Sequence, residues 1–282
     1  MDIRYLFILF IAATIHACWN FMLKSTSNKA IVLWLGQAIG GILFLPLAFI
    51  LSSLNHREIN WLYLVSISGM LHAMALYFLA KAYEHGELSS VLPISRGTAI
   101  LGTALFSCCI LGEQIRLQGA LGIIITLLGV FGLNSYIPTQ QGNIVANAKI
   151  AIMTGMMIAV YSLFDQYAVS RVPPLYFVAG SSLATALFWA PSIFKKHGHE
   201  FFKLAKDKKS IATLVGLGGL TSYCIILFVL KNNSVVYVLS ASQISIVIGV
   251  LLGICFLREK FSVNKLIYVS CIILGIFLTK IN

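Results

Sequence analysis

Residues 111–133, LGEQIRLQGALGIIITLLGVFGL, align without a gap on residues 257–279, LREKFSVNKLIYVSCIILGIFLT. The pairing sets Glu113 on Glu259, Gly129 on Gly275 and Phe131 on Phe277, and the same offset sets Tyr77 on Tyr223. Each segment is a charged turn followed by an apolar run of the length that crosses a bilayer, about 20 residues. The chain therefore repeats itself, and what is repeated ends in a membrane-spanning helix.

Working outward, runs separated by charge, Pro, Gly and Asn give ten spans: 3–23, 30–53, 60–83, 88–111, 115–136, 147–169, 174–194, 210–230, 234–257 and 262–280. They are continuous rather than alternating, which makes them helices that satisfy their own backbone in lipid. Of 282 residues, 59% are hydrophobic and 10% charged, with a mean hydropathy of +0.91. A soluble domain carries about 25% charged residues. Five helices followed by five similar helices have opposite topologies, the construction of secondary transporters with substrate near the midplane. The expected fold is an all-α integral membrane protein, ten transmembrane helices as two inverted five-helix repeats, 1–138 and 147–282, around a central cavity. The first run has a short basic region before it and is interrupted by His16 and Asn20, so it is expected to be a retained helix rather than a cleaved signal.

A net charge of +11 would suggest nucleic acid in a soluble chain. Here most Lys and Arg flank spans, where topology and anionic headgroups account for them, and no nucleic-acid partner is expected. The side bearing both termini would carry Arg4, Arg57, Arg116, Arg171, Lys231 and Lys280, and the other side thirteen basic residues, six of them in the amphipathic link 194–210. By charge alone the termini face outward. The link is expected on the membrane surface, with His197 and His199 solvated rather than metal-bound. The cysteines Cys18, Cys108, Cys109, Cys224, Cys255 and Cys271 lie in apolar runs without CxxC spacing, which indicates packing residues and no metal. No cofactor is expected. Gly36-x-x-x-Gly40 and Gly249-x-x-x-Gly253 allow close helix approach within the bundle, so the chain is expected to be a monomer or weak dimer.

Ionisable groups inside spans are costly, about 2.5–3.5 kcal/mol each at a helix centre, and are functional candidates by default. Arg96 lies in span four, His16 and His72 past the middle of spans one and three, and Asp165 late in span six. Pro93, three residues before Arg96, removes a backbone donor, so a free carbonyl at Ser89 and a kink are expected around a guanidinium flanked by Ser95, Gly97 and Thr98. That fork suits a carboxylate or phosphate-like oxyanion; an ion pair with Asp165 or Glu84 is the competing use. His16 and Asn20, at i and i+4 with Trp19 beside them, offer an imidazole, an amide and an aromatic wall to a cavity, or hydrogen bonds between helices. His72, Tyr77, Tyr161 and Tyr223 are further cavity candidates. In span nine Ser242 falls on Arg96 and Gln243 on Gly97, with Ser240 and Ser245 nearby. A charged half thus matches a hydroxyl and amide half, an arrangement for a substrate with one anionic and one neutral polar end. Glu113 and Glu259 are expected to cap the helices that follow them. If protons drive transport, His16, His72 or Asp165 would carry them.

HACWNFMLK (16–24), YFLAKAYEHGELSSVLPISRG (77–97) and LGEQ (111–114) resemble the EamA-type branch of the drug/metabolite transporter superfamily over essentially the whole chain. Matching positions are His16, Trp19, Asn20, Tyr83, Gly86, Pro93, Arg96 and Gly97. The combined motif is similar to a subgroup associated with phosphonate utilisation. The second half departs from the pattern, since KNNSVVYVLSASQ (231–243) lacks the Pro and Arg. The resemblance implies secondary transport of small metabolites, often amino acids, across a bacterial inner membrane. It also implies cytoplasmic termini, against the charge count. The expectation is a secondary transporter that moves a small anionic or zwitterionic metabolite, amino-acid-like, organic acid or phosphonate, by alternating access; its partners are that substrate and membrane lipids. Hydrophobic-cation efflux, with Asp165 the only carboxylate deep enough, competes with it, as does a membrane-embedded enzyme or sensor. The sequence contains no nucleophile elbow, HExxH, Walker loop or paired carboxylates.

Overall fold

The computed structural model describes residues 3–24, 26–51, 61–85, 88–110, 112–134, 144–257 and 263–280, and among them there is no strand. The helices are α1 (Ile3–Lys24), α2 (Lys29–Leu51), α3 (Trp61–His85), α4 (Leu88–Ile110), α5 (Leu117–Asn134), α6 (Ile144–Val169), α7 (Pro174–His197), α8 (Phe201–Leu230), α9 (Val235–Ser242), α10 (Ile244–Leu257) and α11 (Val263–Lys280). Among the described residues seven stretches are long and apolar enough to cross a membrane: Ile3–Leu23, Lys29–Leu51, Trp61–Ala82, Ala148–Val169, Pro174–His197, Phe201–Leu230 and Val235–Leu252. Shorter apolar helices occupy Ile94–Ile110, Leu117–Gly132 and Leu266–Leu278. Gly86 and Glu259, and the surroundings of Tyr83, Glu84, Ser89, Pro93, His199 and Gly253, on which expectations were placed, lie outside what the structure describes.

Two expectations change. The ninth span is not continuous: it breaks at Gln243, where the Gln243 amide bonds the Ser240 carbonyl at 3.2 Å and Ile246 bonds the Gln243 carbonyl at 2.9 Å. These are i to i+3 bonds, which tighten a helix end and part α9 from α10. The basic link is helical. α7 starts on Pro174 behind Pro173 and ends where Gly198 takes a positive φ of 41°; a single 3-10 turn, Gly198–Glu200, leads into α8. At 30 residues α8 is about 45 Å long, against a hydrocarbon layer of about 30 Å, so its lysine-rich first turns extend into the headgroup region. Phe201 fixes the corner: its ring lies 5.5 Å from Trp34 and 4.6 Å from Phe194, and the Trp34 indole donates to the Ala186 carbonyl at 2.8 Å.

Packing groups the helices into two walls. α5 runs along α11 and α4 along α6, while α3 packs on α6 and α7. α1 packs on α8, α9 and α10, and α2 on α7 and α8. One wall is thus α3, α4 and α6, the other α1, α8 and α9, with α2 and α7 joining them. Glycines set the closest approaches. A Cβ on Gly216 would strike the backbone of Gly36, so α2 and α8 meet main chain to main chain. Gly129 of α5 faces Tyr268 and Ile272 of α11, and Gly275 of α11 faces Gly122 and Thr126 of α5. Those partners are themselves a repeat pair, so the α5–α11 contact is the same on both sides. Gly249, by contrast, meets nothing within 4 Å. The cysteines are not core residues: Cys18, Cys108, Cys109 and Cys255 are exposed, and Cys224 and Cys271 are half-buried.

Gly216→Ala should lower the thermal unfolding temperature in detergent by the equivalent of about 1–3 kcal/mol, the range for an added methyl with nowhere to go. Gly249→Ala should leave it unchanged or raise it slightly, because the helix gains an alanine and loses no contact.

Candidate functional site

Between the two walls lies a cavity of about 180 Å³. His16 and Trp19 from α1, His72 from α3, Arg96 from α4, Tyr161 from α6, Tyr223 from α8 and Ser242 from α9 all line it. Arg96 Nη2 approaches His16 Nε2 at 2.7 Å. A guanidinium only donates, so Nε2 is the acceptor and the imidazole carries its proton, if one only, on Nδ1. The His16 ring meets Trp19 edge to face at 4.9 Å. This places a cation at the cavity wall with a neutral nitrogen as its hydrogen-bond partner.

The carboxylate is handled in the opposite way. Asp165 is fully buried, 0% exposed. Its Oδ1 accepts from Ser68 Oγ at 2.6 Å, and its Oδ2 accepts from His72 Nε2 at 2.8 Å and from the Tyr223 hydroxyl. Ser68 and His72 stand one helical turn apart on α3, which brings both to one carboxyl group. Tyr161 stacks on the far side of His72, 3.9 Å between ring centroids. Asp165 therefore stands behind the lining, with three donors bound, and makes no ion pair with Arg96 among the described residues. It does not supply the internal partner that the sequence allowed for the arginine.

The remaining candidates stand elsewhere. The Asn20 amide donates to its own helix, to the His16 carbonyl at 2.8 Å, and does not line the cavity. Tyr77 is 41% exposed and packs against Phe78 on the outer face. His72, Leu76 and Leu79 line the cavity from α3, and Gly219, Tyr223 and Ile226 from α8. Tyr77 stands one residue past the lining Leu76, a rotation of about 100° around α3, which turns it away from the cavity. Gln243 is buried at the α9–α10 break, where its amide donates to the Leu239 carbonyl at 2.8 Å. Glu113 does not cap α5; its Oε2 accepts from Ser234 Oγ at 2.9 Å and ties the α4–α5 connection to the start of α9.

One polar pair in the cavity was missed in the sequence. Gln37 on α2 and Ser182 on α7 join across the cavity, Ser182 Oγ donating to Gln37 Oε1 at 2.7 Å. Both sit in apolar runs with small neighbours, and no spacing or charge marks them. Thr154 and Thr185 also line the cavity, each with its hydroxyl given to its own helix, to Ile150 at 2.9 Å and Ser181 at 2.7 Å.

Apolar helices around a largely apolar cavity with a few convergent polar groups fit a multi-pass membrane transport protein, and comparison with known proteins supplies the family. The EamA-like transporter family model matches the chain twice, at residues 3–135 and 148–281, and the protein belongs to that family. It is a transporter rather than an enzyme. A relative in Lactobacillus johnsonii, described as a "Putative sugar uptake protein", is 26% identical, with 78% of each chain covered. A solved crystal structure matches with a TM-score of 0.76 at 18% identity over 98% of both chains, a likeness of fold.

Tyr223→Phe removes one donor from a charged acceptor and should cost about 1.5–3 kcal/mol of thermal stability. Asp165→Ala strands Ser68, His72 and Tyr223 together and should cost more, about 3–5 kcal/mol. Unfolding midpoints of purified protein check both; equal effects of the two changes would mean that the three bonds do not converge on one carboxylate.

Proposed function

We propose that the protein is a secondary transporter that carries a small anionic or zwitterionic metabolite by alternating access, with the oxyanion held by Arg96. Its ten spans form two inverted five-helix repeats, 1–138 and 147–282. Three observations support the repeat: the family model matches each half separately, α5 and α11 meet through repeat-related glycines, and the two walls are composed of corresponding helices. Inverted repeats place their substrate between the halves near the midplane, and this cavity is lined by helices of both halves.

The observation that carries the anion is the state of Arg96. It lines the cavity, its hydrogen-bond partner is the neutral Nε2 of His16, and the nearby carboxylate is occupied by three other donors. Among the described residues Arg96 has no carboxylate partner; a guanidinium so placed inside a membrane is costly, and an anionic ligand that docks bidentately offsets that cost. His16, Trp19, His72, Tyr161, Tyr223 and Ser242 complete the binding surface in this proposal. A second reading, a neutral sugar, is favoured by the description of the Lactobacillus relative.

Ligand-induced thermal stabilisation against amino acids, organic acids, phosphonates and neutral sugars separates the two. Arg96→Gln should abolish stabilisation by anions, a loss of at least about tenfold in affinity for one charge-assisted bidentate contact. If carboxylates and phosphonates stabilise the variant as they do the parent, Arg96 does not hold the substrate. If neutral sugars alone stabilise the parent, the sugar reading stands instead.

A further inference from the structure

The cavity's charges and hydrogen-bonding groups narrow the substrate further, and this inference rests on Arg96 holding an oxyanion. We propose that the substrate is a small hydroxycarboxylate, a carboxylic acid that bears hydroxyl groups and no amino group.

A zwitterion needs a place for its ammonium group, and in a desolvated cavity that already holds a guanidinium that place needs a counter-charge. Among the described residues, Asp165 is the one carboxylate at the cavity. It is fully buried, and Ser68, His72 and Tyr223 already occupy its oxygens. The other charged group is Arg96, which repels an ammonium. An amino acid bound here would leave a desolvated cation beside a guanidinium, with no counter-charge.

Hydroxyl groups find partners. Thr154, Thr185 and Ser242 each donate to a carbonyl of their own helix, so the lone pairs of their oxygens are what they offer to a ligand O–H, Ser242 with one of them already facing the Gln243 amide at 3.4 Å. Gln37 Oε1 accepts from Ser182, which leaves the Gln37 amide nitrogen as a donor with no protein partner among the described residues. The Tyr161 hydroxyl likewise has none. Neutral acceptors on α6, α7 and α9, with neutral donors on α2 and α6, match the paired donor and acceptor character of alcohols. The apolar faces of Trp19 and Tyr223 complete the wall against C–H groups.

Matched pairs that differ only in hydroxyl against ammonium provide the test: glycerate with serine, lactate with alanine, malate with aspartate. Binding to the full-length protein is measured by isothermal titration in detergent. In every pair that binds, the hydroxy acid should bind at least about tenfold more tightly than its amino partner. Gln37→Glu adds a carboxylate to the cavity at nearly constant shape and should narrow or reverse that ratio, a gain that damage to the fold cannot imitate. If the amino acid binds as tightly as its hydroxy partner in the parent, or if other anions bind and none of these pairs does, the hydroxycarboxylate inference is overturned and the anion site stands. If no anion binds at all, both fall. The parent measurement is decisive even where Gln37→Glu does not fold.

Discussion

A carboxylate with no exposed surface, inside a helix that crosses a membrane, must be satisfied by the protein itself, because lipid supplies no donor. Satisfying Asp165 takes Ser68 and His72 from α3 and Tyr223 from α8. The first two bonds hold α3 to α6 within one wall. The third crosses to the other wall. The cavity's shape on that side follows: Tyr223 is pulled toward Asp165, His72 is oriented by its bond to the carboxylate, and Tyr161 stacks on the oriented ring. With its oxygens bound, the carboxylate is removed from the ligand's reach, and the electrostatics of the remaining space are left to Arg96.

The positions matched by the sequence offset are unlike in chemistry. Where α4 carries Arg96, α9 carries Ser242; where α1 carries Trp19, the sequence offset puts Asp165 on α6. The matched glycines Gly129 and Gly275 both stand at the α5–α11 contact, where a side chain would strike the other helix. Polar links also tie the walls: Arg96 to His16, Tyr223 to Asp165, and Glu113 to Ser234. Interhelical hydrogen bonds in membranes are worth about 0.6 kcal/mol on average. Links of that size hold one conformation and still let it be exchanged for another.

The sequence made the all-helical, multi-pass membrane character legible because its signals are long, apolar runs of span length. The charged residues of the cavity were legible for a related reason, since Arg96, His16, His72 and Asp165 each break an apolar run and a membrane makes such breaks expensive. What escaped was anything that depends on rotation. Tyr77 and Tyr223 match by offset, yet Tyr77 stands about 100° around α3 from the lining Leu76 and faces outward. Gln37 and Ser182 escaped because each is an ordinary helix residue until the other stands opposite. The α9–α10 break at Gln243 escaped because neither glycine nor proline marks it; the side chains of Ser242, Gln243 and Ser245 bond the local carbonyls instead.

That break bears on how the arginine's half and the serine's half work together. Backbone that leaves regular helix geometry at membrane depth persists where it is buried in protein or borders a polar space. At Gln243 both conditions hold, since the residue is 2% exposed and its neighbour Ser242 lines the cavity. The eight-residue α9 is joined to α10 through Gln243 alone, whose backbone stays in the right-handed helical region while its hydrogen bonds shorten to i to i+3. Its start is held to the opposite wall by the Ser234–Glu113 bond, and its end offers Ser242 to the cavity. Contact between a ligand and Ser242 is thus mechanically continuous with a bond between the walls, along a single rigid rod of two turns.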